Sequence, residues 1–539
     1  MLYLQAALRF PARNRLFATL FAAGLALRVI TMLGFPPSIW YAGDSISYVT
    51  SALNLSPGIS RVSGYSVLLI VLRPLHSFAV VTGAQHLMGL AMGAMIYALL
   101  GRRGLPRWGA ALGALPVLLD AYQLQLEQEI LPDILFAFLV VGAVTLYAWW
   151  PDAARPLRAT AVAAAALGAA AVCWPVGLPL LLLLVLVMIV RRAGWRPVTA
   201  AVTAGAVPLL VYLAWYHQEH GRYAFNNASG VFLWSRTMTF ANCDVIRLPA
   251  DERPLCPRKP VARRQAASLW IWQRHTPLAH MPGKFSVRTN ALAGDFARRA
   301  ILAQPLGYAR AVFDGLAMTF TWNRPPHPNK LMSERYNFAL ATRDWDHAHR
   351  ATAIVRVQRQ YTGGHLAFTR AVEPMSGFMV GYQRFVYLRG TMVGILLLIG
   401  LAGLARWLAV AGTCPHRGLL GGPGGGPPGQ HSRGLPESGS PGWPGRREWG
   451  GPALFPWLTG LAVLLVPVMT ADYSPRYVVP AVPVISVAAA LAFLRPVPVI
   501  ASRRVPPPRT GSHERMPDRR PAVTPVEIST PPATSNNSK

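Results

Sequence analysis

The chain has 539 residues, 52% hydrophobic and only 14% charged, with a mean hydropathy of +0.31. A soluble domain carries about 25% charged residues, and the deficit here lies in long apolar runs, which excludes a soluble fold in favour of a membrane protein with many spans. The formal charge is +30, all but four of the 52 cations being arginine, and these fall in short loops between apolar runs, which suits membrane orientation and anionic lipid rather than nucleic acid.

Residues 1–14 are basic and precede an apolar run over 15–34. Gly34-Phe35-Pro36-Pro37 is a poor cleavage site, so the run reads as an uncleaved first span with its amino end cytoplasmic. The first outer loop is then 35–76, with a short amphipathic segment after Asp44. Further spans follow in alternation at 77–101, 108–122, 130–150, 159–173, 176–190 and 197–216. Each expected cytoplasmic loop among them is basic, as at Arg102-Arg103, Arg155 and Arg191-Arg192, so the orientation is self-consistent. Residues 1–216 are expected to form an amino-terminal transmembrane module.

Residues 217–385 hold no comparable apolar run and are long enough for a small domain, expected outside. Cys243 and Cys256 lie 13 positions apart there; an outside location permits a disulfide, and two reduced, buried thiols are the alternative. Apolar positions over 297–313 recur at helical spacing, which predicts helices along the membrane face, with Pro305 opening the second. A span over 386–411 comes next. Residues 412–451 are rich in Gly, Pro and Ser and form a flexible cytoplasmic linker. Two spans over 452–494 enclose a short outer turn, Asp472-Tyr-Ser-Pro-Arg476-Tyr477, and the basic tail from 495 to 539 is expected to be disordered. The expected fold is thus all-α and polytopic, with about ten spans, juxtamembrane helices in the first outer loop, and both termini cytoplasmic.

Asp44 is an acid just past an apolar span. Trp40, Tyr41 and Tyr48 around it are expected at headgroup depth, and Gly43 lets a ligand approach the backbone. Such a carboxylate can take a proton from a sugar hydroxyl; as the alternative, Asp44 caps a short helix. Glu127, Glu129 and Asp133 fall on the same expected side. They read either as a solvated loop or as part of one site; Asp133 sits just inside an apolar helix, where acids usually have a partner. Arg28, inside the first apolar run, pairs with Asp44, Glu127 or Asp133, or reaches out to the interface. Arg61, Arg73 and Arg476 lie outside, against the positive-inside tendency, and arginine suits a lipid phosphate. His217-Gln-Glu219-His220 and His347-Ala-His349 lack the helical zinc spacing and read as solvated loop residues.

Four stretches together resemble the GT-C superfamily of membrane glycosyltransferases, closest to the bacterial branch related to protein mannosyltransferases and aminoarabinose transferases. They are Tyr41-Ala-Gly-Asp44-Ser-Ile-Ser-Tyr48, Ser63-Gly64-Tyr65-Ser-Val-Leu-Leu, Glu127-Gln-Glu129-Ile-Leu-Pro-Asp133-Ile-Leu-Phe, and Arg476-Tyr477-Val-Val-Pro480-Ala-Val-Pro483. The resemblance covers roughly 15–215 and 452–495. It implies a polyprenyl-phosphate sugar donor used on the outer face of the cell membrane, transfer with inversion, and Asp44 as general base. Tyr41, Tyr48, Arg61, Tyr65, Glu127, Glu129, Asp133, Arg476 and Tyr477 are the implied substrate-binding residues, and the acceptor is an extracytoplasmic glycan, lipid or protein. Many relatives carry two adjacent acids where this chain has Gly43-Asp44-Ser45, a departure that counts against a metal-binding role; a divalent cation is the one cofactor left open. The rival class is a transporter or flippase of lipid-linked sugars, which calls for polar residues at mid-membrane and often inverted repeats; no repeat is visible, and the acids cluster at span ends.

Overall fold

Small residues decide how closely the apolar helices of this chain approach. The computed structural model describes residues 14–152, 155–340, 348–366, 368–412 and 451–494. The basic start of the chain, His347, Cys414, residues 413–450 of the linker and the tail from 495 lie outside the described residues, as does the side chain of His349. The described part belongs to one compact unit, and no strand forms within it.

The first helices are α1 (Arg15–Gly34), α2 (Ala42–Asn54), α3 (Gly64–Leu72), α4 (Phe78–Arg102), α5 (Arg107–Leu119), α6 (Ala121–Gln128) and α7 (Asp133–Ala148). Next come α8 (Leu157–Cys173), α9 (Gly177–Val190) and α10 (Trp195–His220), all apolar. The following stretch holds α11 (Ser229–Thr237), α12 (Ala267–Trp272), α13 (Val287–Ala303), α14 (Pro305–Ala317), α15 (Lys330–Glu334), α16 (Ala348–Tyr361) and α17 (Met375–Phe385). The chain closes with α18 (Gly390–Gly412), α19 (Leu454–Thr470), α20 (Pro475–Val478) and α21 (Val482–Leu491). The architecture is that of an all-helical polytopic membrane protein. By length and composition α1, α4, α10 and α18 can each cross a membrane, and the other apolar helices are shorter. Proline opens α14 and α20 at their first positions, where its missing N–H costs no helical bond.

Helix α8 reads Arg-Ala-Thr-Ala-Val-Ala-Ala-Ala-Ala-Leu-Gly and packs along α10. Its Gly168 lies so close to α10 that an added Cβ would come within 2.2 Å of the Gly205 carbonyl oxygen. Close approach through small residues is how helices gain dispersion energy where no water is there to be expelled. The main core joins α4, α5, α7, α8, α9, α19 and α21 through residues such as Leu100, Val140, Leu167, Leu184, Phe455 and Ile485.

The stretch 217–385, expected as a single loop domain, divides. Its first part builds its own core from Trp234, Met238, Leu255, Trp270, Phe296 and Ala300 around the paired Cys243 and Cys256. Its last two helices are absorbed elsewhere. Val357 and Tyr361 of α16 join the core of the first loop, and Met379 of α17 packs with Leu27 and Phe35. Val357 and Tyr361 share that core with Val49 and Ala52 of α2 and Tyr65 and Leu69 of α3.

Candidate functional site

Two segments far apart in sequence are stitched together first. Ile39 and Glu129 form an isolated parallel bridge. The Ile39 amide donates to Gln128 O at 2.8 Å, and the Ile130 amide to Ile39 O at 3.1 Å. Below the bridge, Gln85 Nε2 donates to the carbonyls of Glu127 and Glu129, both at 2.8 Å, and Tyr65 Oη donates to Gln85 Oε1 at 2.8 Å. The first loop and the turn before α7 are therefore one rigid platform.

On that platform α2 begins at Ala42, and Ser45 Oγ accepts from the Tyr41 amide at 2.8 Å. Asp44 does not cap the helix. Its side chain leaves the first turn and meets two guanidiniums. Arg61 Nη2 donates to Oδ1 at 2.5 Å, and Arg476 Nη1 donates to Oδ2 at 3.1 Å. Arg476 also brings Nε within 3.1 Å of Asp133 Oδ1, an ion-pair contact that lacks hydrogen-bond geometry. Asp133 Oδ2 is buried with no hydrogen-bond partner among the described residues.

Aromatic rings enclose this cluster. The Arg476 guanidinium lies 5.3 Å from the ring centroids of both Tyr41 and Tyr477, a range in which a cation gains from the ring face. Tyr41 stacks on Tyr336 at 5.5 Å, and their hydroxyls are 2.9 Å apart. Tyr477 leans on Trp174 at 4.8 Å. On the far side of Arg61 lies the indole of Trp272, at 5.3 Å.

Burial alone would raise the Asp44 carboxyl, but the Arg61 and Arg476 charges beside it outweigh burial and hold it below the usual carboxylate range. It is therefore a carboxylate at neutral pH, with both oxygens engaged. A divalent cation fits poorly, because it would need the lone pairs that the two arginines occupy, and the guanidiniums at the cluster recruit an anion instead. Among the described residues no group of three His, Cys, Asp or Glu side chains is placed to hold a metal ion.

Of the residues singled out in the sequence, Tyr41, Asp44, Arg61, Asp133, Arg476 and Tyr477 come together. Others lie beneath them. Trp40 and Tyr48, expected at headgroup depth, are buried, Trp40 edge-on to Phe78 and Tyr48 edge-on to Tyr65. Tyr65 and Glu127 are fully enclosed and do not reach the cluster. Glu127 takes Arg28 Nη2 at 2.7 Å, His86 Nδ1 at 2.8 Å and Gln123 Nε2 at 2.9 Å. Arg28 is thereby paired inside the bundle, and its terminal nitrogens also donate to the carbonyls of Gly24, Val117 and Leu118. Glu129 does not share a helix face with Asp133, because α6 ends at Gln128 and α7 starts after Pro132; its Oε1 accepts from Gln125 Nε2 at 2.9 Å. Arg73 donates to Leu53 O, away from the cluster. His217 stacks on Tyr223, and His220 is 2.8 Å from Pro57 O.

Four participants carry no readable signal in the sequence. Tyr336 and Trp272 come from the stretch expected as a loop domain, Trp174 lies between the helices α8 and α9, and Asp472 belongs to the short outer turn. Asp472 fastens the turn before Arg476. It accepts from the Ser268 amide at 2.8 Å and the Tyr473 amide at 2.9 Å, and His327 Nε2 lies at 2.9 Å.

No family model and no curated protein matches the chain. Among solved structures, it is similar to a Saccharomyces cerevisiae protein O-mannosyltransferase, the Pmt1-Pmt2 complex bound to the sugar donor, at 15% identity and a TM-score of 0.31. That similarity covers 42% of this chain and 36% of that chain. A likeness of that extent is too low to transfer an activity.

Proposed function

We propose that this chain is an integral-membrane glycosyltransferase that moves a sugar from a polyprenyl-phosphate donor to a hydroxyl acceptor on the outer face of the membrane. The observation that carries the reading is the convergence of Asp44, Arg61, Asp133 and Arg476 from four separate segments into one cluster walled by tyrosines. A carboxylate between two guanidiniums supplies what such a transfer needs, a base for the acceptor and cations for the leaving phosphate.

In the proposed step the acceptor oxygen attacks the anomeric carbon, and its proton passes to Asp44. The bond from the anomeric carbon to the donor phosphate oxygen breaks on the opposite face, so configuration inverts. The polyprenyl phosphate departs with its new charge on Arg61 and Arg476, and no general acid is required. At rest Asp44 is a weak base because both oxygens are taken. A donor phosphate competes for the same two guanidiniums, loosens their hold and raises the proton affinity of Asp44. Asp133 positions Arg476 during this exchange.

The test is sugar transfer from a radiolabelled polyprenyl-phosphate sugar by the purified chain in liposomes, with Asp44→Asn alongside. Loss of about 10²-fold or more is expected, the contribution of a general base. Transfer retained in Asp44→Asn would reject Asp44 as the base, and lipid-linked sugar crossing the bilayer without transfer would replace the enzyme by a flippase.

A further inference from the structure

The loop stretch 217–385 carries no motif, yet one corner of it reaches the cluster. Helix α12 is fastened by the Ser268 amide to Asp472, four residues before Arg476. The same helix ends at Trp272, and one indole ring carries two cations. The Arg61 guanidinium lies over it at 5.3 Å and the Lys284 ammonium at 5.5 Å. Arg61 has Asp44 on its other side. Lys284 has no carboxylate within salt-bridge distance among the described residues, and burial pushes its ammonium down from the ordinary lysine value. The corner thus gathers Arg61, Lys284 and Arg476 against the two carboxylates Asp44 and Asp133, which leaves one positive charge without a counter-ion. Two like charges held at one aromatic ring raise the local positive potential, which an anion at that corner lowers. The surroundings favour an anion attached to lipid. Trp272 is 45% exposed, and the loop that delivers Arg61 also exposes Leu55 and Ile59. An indole with one wet edge beside apolar side chains is the habit of a membrane interface.

We propose that Lys284, with Arg61 at the Trp272 ring, is a binding residue for a lipid phosphate, so that the otherwise unassigned loop supplies part of the donor site. This rests on the glycosyltransferase reading. The phosphate comes either from a polyprenyl phosphate or from a phospholipid headgroup, and competition separates the two sources.

The experiment measures binding of farnesyl phosphate to the full chain in phosphatidylcholine nanodiscs, with and without phosphatidylglycerol, for the wild type, Lys284→Ala, Lys284→Arg and Asp44→Asn. Lys284→Ala is expected to weaken binding about tenfold, or about 1.4 kcal/mol. Lys284→Arg is expected to restore most of it, and both variants keep the wild-type melting temperature. If phosphatidylglycerol competes with farnesyl phosphate in the wild type but not in Lys284→Ala, the lysine accepts headgroups too; if it does not compete, the lysine is selective for the donor. Unchanged affinity in Lys284→Ala overturns the assignment of Lys284 and leaves the enzyme reading intact. Failure of both the wild type and Asp44→Asn to bind farnesyl phosphate at all overturns the donor class itself.

Discussion

Arg476 donates from Nη1 to Asp44 Oδ2 at 3.1 Å across 432 positions of sequence. The contact joins the helix that opens the final apolar segment to the first turn of α2 in the first loop. The same guanidinium faces Asp133 through Nε. One side chain therefore bridges two acids that would otherwise repel each other in a poorly solvated corner, and Arg61 supplies the second positive charge. The cluster is complete only once the last helices have packed onto the first.

Removing that guanidinium strands a charge. Asp133 is 3% exposed, and an uncompensated carboxylate in such a place costs about 3 kcal/mol or more. Arg476→Gln is thus expected to lower the melting temperature of the purified chain and to abolish sugar transfer. Arg476→Lys restores charge but not the planar fork that reaches both acids; it should melt close to the wild type and still lose most of its transfer. Equal melting temperatures for wild type and Arg476→Gln would show that Asp133 does not depend on this partner.

The charge state of Asp44 gives a pH prediction with a definite sign. Its carboxyl titrates below the usual value because Arg61 and Arg476 favour the charged form. A depressed folded-state pKa adds stability above the unfolded value, about 3.9 for aspartate, and that stability is lost as pH falls toward the folded-state value. The acid limb of kcat/KM, which reports the free enzyme, should therefore lie below the ordinary carboxylate range. Arg61→Gln removes one of the two lowering charges, so the limb should shift upward while the limb's shape stays single-proton. A limb that does not move in Arg61→Gln would mean that Asp44 does not control it.

Much of this was legible in advance, for physical reasons that differ by residue. The apolar runs at 15–34, 77–101 and 197–216 match α1, α4 and α10 closely, because continuous hydrophobicity leaves few alternatives. Asp44 and Arg476 stood out as charges beside apolar segments. What the sequence could not show is depth. Glu127 and Asp133 read alike as acids at a span end, yet Glu127 is sealed beneath the platform with Arg28 while Asp133 faces Arg476. The difference arises from the break between α6 and α7: α6 ends at Gln128, which leaves Glu127 inside the bundle, and Pro132 precedes α7, whose first residue is Asp133. Tyr336, Trp272 and Lys284 were invisible because their stretch has no periodic pattern, and only tertiary packing carries it to the cluster.

The core around Trp234 and Phe296 should depend on its disulfide. Cys243 and Cys256 close a loop of 13 positions, and a loop of that length is worth about 3 kcal/mol by chain entropy. Replacing both with serine is expected to speed hydrogen exchange in residues 229–300 while α4 and α7 stay protected. If the change instead spreads through the apolar helices, this core is not a separate folding unit.

The bundle offers a sharp packing test at Gly89. This glycine of α4 faces Glu127, and an added Cβ would stand 1.8 Å from Oε1 and 2.7 Å from Arg28 Nη2. The pair has no room to retreat, since Glu127 is also held by His86 and Gln123, and Arg28 by the carbonyls at the end of α5. Gly89→Ala should therefore cost about 2 kcal/mol or more through overpacking, even though alanine favours a helix over glycine by about 1 kcal/mol. Gly101→Ala, in the same helix with open space around its Cβ, has only the propensity gain and should melt at or above the wild-type temperature. A Gly89→Ala protein as stable as Gly101→Ala would mean that the Arg28–Glu127 pair is looser than its hydrogen bonds indicate, and that the platform under Asp44 is held by the Ile39–Glu129 bridge and Gln85 instead.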